Sequence, residues 1–483
     1  MRMKKTITSL MALIAIVLLT ASCSKGNELA KAIPANAPVV MKANVRSMSE
    51  KAALKDNKEL QNDLQETLKG LSEGLQKKVK AIMDDPMESG FALQQPVFIA
   101  VTNPDKGELV VSMGVDDKTK VDELFKSAQQ DCKTMKITAG EEQTVIDDEE
   151  VQIAYNGDMC VFAVNAKNAK ELLTQDEAKS ILSQDKYAKM LEGSNDIDAY
   201  IDYAALMSTA QKMSKKAQMA AADKLVEGLY FIANVNFNEK EAVINTEAFG
   251  NDAIIKLSKE IQKDPSGDYM KLVPADAYAV LQCGVEDMDK IKELLPKAET
   301  EQIDKQLQGM GLTLDALLKA IDGDVLISVA PNGTQMIPQI SFVLACKDQK
   351  VWEALTKVAE PMGQGVLEKK DANSYNVKLQ ALAGSDYTLS YDKKAIVITP
   401  ATAPTKTFKD SDNAKAVKNG GFFIDMQQIL GNQQVKGMAG KGADAMADLQ
   451  SISGTGDGTK GEYKVKFNKE GNALASIVKM MQK

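Results

Sequence analysis

The chain has 483 residues, 44% of them hydrophobic and 26% charged, with a net charge of −8. Domains typically run about 100–200 residues, so this length exceeds one ordinary core, and an acidic chain lacks the basic face that binding nucleic acid demands. It contains no histidine, which removes Ser-His-Asp and Cys-His nucleophiles and mixed Cys/His zinc sites together.

In chain order, Arg2, Lys4 and Lys5 precede an unbroken apolar run, Leu10–Leu19, and then Thr20-Ala21-Ser22-Cys23. This is the anatomy of a secretory signal. Ten apolar residues span roughly 15 Å as a helix, half a bilayer core, so the run is too short for a membrane span. A Cys directly after small residues resembles the lipobox of bacterial lipoproteins, although Thr20 stands where Leu is usual. The expectation is cleavage after Ser22 and lipidation of Cys23, with acyl chains of the palmitate type. The alternative is an ordinary secretory cut that leaves Cys23 a bystander. Ser24, in place of a retention Asp, points to the outer membrane, and the absence of a dense acidic run over Ser24–Glu28 favours its periplasmic face over the cell surface.

Beyond a tether at 23–32, the strands Val39–Asn44 and Leu109–Val115 are expected, with hairpins around Asn156-Gly157-Asp158 and Asn238-Glu239-Lys240. Between them Leu60, Leu64, Leu68, Leu71, Leu75, Val79 and Ile82 recur at helical spacing up to Asp84-Asp85-Pro86. This predicts one amphipathic helix over 60–82 covering a sheet. A partner-binding seam is the other reading, and Gly70 and Gly74 weaken it.

The second half then repeats the first. Ile33–Val45 matches Val273–Val285, with Pro274 minus Pro34 equal to 240. Pro96–Val101 matches Val325–Val329. The strand-helix stretch from Leu109 matches that from Ser341, Tyr200-Ile201-Asp202 matches Phe423-Ile424-Asp425, and Val235–Asn238 matches Val465–Asn468. Five blocks in one order predict a duplication with a linker around Lys263–Gly267, giving repeats at 33–262 and 263–483. The Gly-rich stretch Ser453–Gly461 is expected as an exposed, flexible insert of the second repeat. Hairpins beside helices without a βαβ rhythm predict an α+β fold of two tandem homologous domains, each an antiparallel sheet packed with helices. Cys283 falls opposite Ala43 and Cys346 near Val115, so Cys132, Cys160, Cys283 and Cys346 are expected as free thiols.

Pro34-Ala35-Asn36-Ala37, the Ser47…Glu50-Lys51…Leu54 opening, Ser89-Gly90 before an apolar strand, and Asp196-Ile197-Asp198-Ala199-Tyr200 together resemble the Bacteroidetes lipoproteins grouped as domain-of-unknown-function family 4836. More distantly, the Pro-Ala opening is similar to another uncharacterised family of bacterial envelope proteins. The resemblance implies a lipid-anchored envelope protein of a Bacteroidetes-type bacterium with no established activity. It offers no catalytic residues to carry over.

Other candidates for chemistry are fragmentary. Ser183…Lys186 and Ser476…Lys479 satisfy S-x-x-K and Ser411-Asp412-Asn413 reads S-D-N, but K-T-G is absent. Acidic groups at Asp84-Asp85, Asp147–Glu150, Asp322-Gly323-Asp324 and Asp410-Ser411-Asp412 suit solvated turns better than cation loops. Gly437–Gly442 lacks the Ser or Thr of a phosphate loop. The 24 methionines fill core gaps or line a groove for lipid or peptide. The expectation is therefore no catalytic, cofactor-binding or metal residue, and lipidation at Cys23. The role expected is non-catalytic: binding an unidentified envelope protein, peptide or lipid, or organising the envelope. The alternatives are a His-free hydrolase using carboxylates or Ser-Lys, and a carrier of a lipid or peptide in a groove between the halves.

Overall fold

A computed structural model describes residues 27–53, 62, 66, 68–132, 134–214, 226–294, 297–309, 311–333, 337–362, 365–379, 384–392, 394–431 and 445–481. Residues 1–26, with the expected signal segment and Cys23, and Leu54, Leu60, Leu64 and Gly437–Gly442 lie outside the described residues. The chain divides into two compact units. One takes in the described residues up to Ser214, then Glu227–Gly250 and the segment that starts at Lys469. The other is built on Asn251–Asn468. The second unit thus begins ahead of the expected linker, and the last residues return to the first.

The first unit holds β1 (Val39–Ala43), β2 (Val97–Asn103), β3 (Glu108–Gly114), β4 (Lys136–Ala139), β5 (Thr144–Asp147), β6 (Val151–Tyr155), β7 (Met159–Val164), β8 (Ile197–Asp202), β9 (Tyr230–Phe237) and β10 (Glu241–Phe249). All pair antiparallel in the order 10-9-8-1-2-3-7-6-5-4. Strand side chains alternate between faces, and both faces are covered. Val40, Phe98, Val110, Tyr200 and Ile232 pack with the short turns that carry Ile33, Ile181 and Tyr187. Val97, Met113, Cys160 and Phe162 pack with the helices Glu73–Asp84 and Lys118–Gln129.

The covering-helix reading holds for Leu75, Val79 and Ile82, all buried. The single helix over 60–82 does not form. A turn interrupts it at Lys69-Gly70, and Asp131 accepts from the Ser72 amide (2.9 Å) and hydroxyl (2.8 Å), holding the restart at Glu73. Both expected hairpins form, as β6–β7 and β9–β10. Asn156 accepts from the Asp158 and Met159 amides across the first turn, and Lys240 takes positive φ in the second.

The second unit holds β11 (Gln262–Lys263), β12 (Ala279–Val285), β13 (Ile321–Ala330), β14 (Gln339–Cys346), β15 (Leu367–Asp371), β16 (Ser374–Val377), β17 (Tyr387–Asp392), β18 (Ala395–Pro400), β19 (Gly421–Asp425), β20 (Leu449–Gly456) and β21 (Lys460–Phe467). Apart from β11, which pairs with the end of β12, the antiparallel order is 21-20-19-12-13-14-18-17-16-15. This is the first unit's order strand for strand. With many helices beside these sheets, the fold is α+β.

The two units also close on matching backbone bonds. Ala37 N donates to Pro34 O and Ala277 N to Pro274 O, both at 3.1 Å. Ala35 N reaches Lys179 O and Ala275 N reaches Lys406 O, both at 3.0 Å. Asp202 N donates to Pro38 O (2.7 Å) and Asp425 N to Tyr278 O (2.8 Å). Each of these two aspartates then caps a helix, Asp202 through Ala205 N and Asp425 through Gln428 N.

Two expectations need correction. Val235–Asn238 ends β9 whereas Val465–Asn468 ends β21, and these strands hold different places in the pairing order. The strand that matches β21 is β10. Ser453–Gly461 is no flexible insert: its ends belong to β20 and β21, and Asp457 accepts from the Thr459 and Lys460 amides across the turn. Glycines suggested a loop, but the ladder on either side fixes them as a hairpin.

All four described cysteines are free thiols, three of them buried. Burial, the main cause, pushes the Cys346 thiol up to about 11 from an ordinary 9.0, and also raises the hydroxyls of Tyr155, Tyr187 and Tyr200. Between pH ~9 and ~11 the unfolded chain releases the Cys346 proton while the folded chain keeps it, so stability falls as pH rises. Urea unfolding across that window should show this slope, and Cys346→Ala should flatten part of it.

Candidate functional site

The motifs behind the family resemblance meet in space. Asn44, at the end of β1, accepts from the Ser47 amide (3.1 Å) and starts the helix Val45–Lys51, which places Ser47 and Lys51 one turn apart on one face. Both reach Asp196, just ahead of β8. The Ser47 hydroxyl donates to Asp196 Oδ1 (2.5 Å), the Lys51 ammonium to both carboxylate oxygens (2.8 and 2.6 Å), and the Phe237 amide to Oδ2 (2.7 Å). Asp196 is 3% exposed. A buried carboxylate persists only when its charge is paired and its lone pairs are filled, and here they are.

A second carboxylate lies two residues on. Asp198 stands opposite Lys42 on β1 and Asn234 on β9. It accepts from Asn234 Nδ2 (2.7 Å), Asn195 Nδ2 (2.6 Å) and the Asn195 amide (3.2 Å), while Asn236 Nδ2 donates to Asn195 Oδ1 (2.8 Å). Lys42 Nζ donates to the carbonyls of Leu191 (2.5 Å) and Gly193 (2.9 Å), at the end of the short helix Ala188–Glu192, where a cation is favoured.

The chemistry open to this cluster is limited by its own bonds. In a Ser-Lys mechanism a neutral lysine accepts the serine proton. Here Ser47 and Lys51 both donate to the same carboxylate, so the amine is turned to Asp196 rather than to Ser47 and the hydroxyl proton is already engaged. The arrangement is a latch that ties a helix to β8 and β9.

The other motifs serve the frame. Tyr187, fully buried, donates its hydroxyl to the Ala37 carbonyl (2.8 Å) and lies 3.1 Å from that of Ala35. Gly90 takes φ +79°, and its carbonyl receives the Asp116 and Asp117 amides (2.9 and 3.0 Å); a Cβ there would stand 2.4 Å from Asp117 O.

The remaining candidates are not brought together. Ser183 donates to the carbonyls of Ala178 and Ser180, while Lys186 lies over the Tyr187 and Tyr200 rings. Ser476 is buried in the helix Ala473–Met481, and Ser411 donates to Phe408 O (2.7 Å). Asp85 caps the turn Pro86–Ser89, and Asp147 accepts from Gln152. Lys263 and Lys347 pair with Asp322, and Ser266 donates twice to Asp324. Among the described residues no group of three Cys, Asp or Glu side chains could hold a metal ion. No helix among them is long and apolar enough to cross a membrane.

Sequence reasoning missed Lys42, Asn195, Asn234 and Asn236. Asn234 and Asn236 alternate with Val235 and Phe237 and read as the solvent side of a strand. Asn234 in fact shares the face of Ile232, which is in the core. The only signal was a buried acid in need of donors.

Among solved structures, the chain is similar to three crystal forms of the protein TP0453. Form III has 11% identity and TM-score 0.28, covering 48% of this chain and 85% of that one. Form IV has 11% identity and TM-score 0.29, covering 45% and 78%; form I has 11% and 0.27, covering 45% and 76%. No curated protein sequence matches. The model of a domain of unknown function, DUF4836, matches residues 30–454, which include every motif that builds the latch and the frame, and the chain belongs to that family.

Proposed function

We propose that the chain is a lipid-anchored protein of the bacterial cell envelope, made by duplication of one α+β unit, that acts without catalysis by binding or by organising the envelope. The observation that carries the non-catalytic reading is the latch: Ser47 and Lys51, the reactive residue types in the family motifs, both spend their protons on Asp196. The duplication is supported by the shared strand order and by the paired bonds at Pro34 and Pro274. The address rests on Leu10–Leu19 followed by Cys23. The site proposed is the outer membrane of a Bacteroidetes-type cell, on the periplasmic side, a reading supported by Ser24, by the lack of an acidic run after Cys23 and by the family resemblance. Two or three acyl chains on Cys23 hold a protein stably, where one is marginal.

Growth with a labelled fatty acid, followed by fractionation, tests the address. The wild type should carry label and sediment with membranes, and Cys23→Ala should lose both. A mutant that keeps the label and stays on the membrane defeats the proposal.

A further inference from the structure

Two short helices begin alike. Asn251 accepts from the Ile254 amide (3.0 Å) ahead of Asp252–Ile261, and Asn472 accepts from the Leu474 amide (2.9 Å) ahead of Ala473–Met481. Along the chain the first follows the β9–β10 hairpin and the second follows β20–β21. Their packing is crossed: Asn251–Asn468 clusters as the second unit, and the segment from Lys469 belongs to the first.

The two seats correspond. In the first unit, Ala473–Met481 packs on β10 and on the helix Val45–Lys51, which directly follows β1. Asn472 Nδ2 donates to Phe237 O (2.8 Å), Ala473 N to Asn238 O (2.9 Å) and Lys240 N to Gly471 O (2.8 Å), all around the β9–β10 turn. In the second unit, Asp252–Ile261 packs on the turn of 3-10 helix Met288–Leu294, which follows β12. Gln262 Nε2 donates to Gly456 O (2.7 Å) by the β20–β21 turn, where a Cβ on Gly458 would lie 3.1 Å from Ser258 Cβ. Each helix therefore sits on the segment after the first long strand and beside the last hairpin, in the unit that its own half of the sequence does not build.

A crossed pair of equivalent helices on equivalent seats is what a dimer with exchanged C-terminal helices leaves behind when its subunits are joined end to end. Resting on the duplication reading above, we infer that the chain is such a dimer fused into one polypeptide. Each unit is a receptor for a helix supplied by another copy of the half-chain, and neither is complete without it. The ligand of the first unit is an Asn-capped helix carrying Ala473 and Leu474, both buried there.

Hydrogen exchange on the full chain tests this. Leu474→Asp and Ile254→Asp place acids in first helical turns, where acids favour a helix, so each acts through its seat. Leu474→Asp should speed exchange roughly tenfold or more in β10 and Val45–Lys51 and leave β12–β14 unchanged. Ile254→Asp should loosen Met288–Leu294 and β20–β21 and leave β1–β3 unchanged. Loosening of the sequence-adjacent strands instead, or of none, overturns the inference. As a second measurement, a protease site between Asn468 and Lys469 is cut after folding. A labelled peptide of residues 469–483 should then replace the cut segment saturably, and a cut chain freed of its segment that does not bind the peptide overturns the receptor role. If these fail while an experimental structure keeps the shared strand order, the exchange is wrong and the duplication stands.

Discussion

Asp196→Asn should cost about 3 kcal/mol of stability in urea unfolding, a loss typical of breaking a buried, hydrogen-bonded ion pair. The amide keeps one acceptor oxygen but turns an N–H toward three groups that all donate: the Ser47 hydroxyl, the Lys51 ammonium and the Phe237 amide. The Phe237 amide is buried and has no solvent to turn to, which makes its loss expensive. Lys51 is 30% exposed and recovers part of its hydration, so the figure sits at the low end of the range. Ser47→Ala removes one donor and leaves the carboxylate two others, the Lys51 ammonium and the Phe237 amide, so it should cost about 1 kcal/mol. The ordering matters more than the values. If Ser47→Ala proves as costly as Asp196→Asn, the acid is not the hub of the latch.

Gly421→Ala should be as damaging in the second unit, by about 3–5 kcal/mol, summing backbone strain and a forced overlap. Gly421 holds φ +152°, and a Cβ there would stand 2.2 Å from the Gly454 carbonyl oxygen and 3.1 Å from that of Ala416. Both neighbours are backbone, so no rotamer change relieves the overlap. Gly421 takes the place in its unit that Asp198 takes in the first: it pairs with Gln282 on β12 as Asp198 pairs with Lys42 on β1. Gly421→Asp therefore should not build a second acidic centre; it should unfold the second unit. Gly431→Ala is the control, since nothing lies within 4 Å of a Cβ there, and it should change stability by less than about 1 kcal/mol.

Local chemistry in the sequence revealed local structure. Asn156-Gly157-Asp158 and Asn238-Glu239-Lys240 marked real turns because Asx bonding and positive φ are decided within four residues. The Pro-Ala openings marked equivalent turns because Pro34 and Pro274 sit in the same bonding pattern. Long-range features stayed hidden. Asp196 meets Lys51 across 145 positions, and nothing near either residue announces the other. The leucine spacing from Leu60 continued through Lys69-Gly70, where a bond to the distant Asp131 decides the break. The similarity of Val235–Asn238 to Val465–Asn468 was a coincidence of strand composition, and only pairing order separates β9 from β10. The crossed helices were invisible for the same reason: a terminal helix reads as part of the hairpin that it follows.

An experimental structure superimposed on itself, β1–β10 onto β12–β21, is the most direct measurement. The two pairing orders should coincide strand for strand, with the Ala37 and Ala277 amides closing on Pro34 and Pro274. A different strand order in either unit, or a Pro274 carbonyl without that bond, would contradict a folding unit written twice.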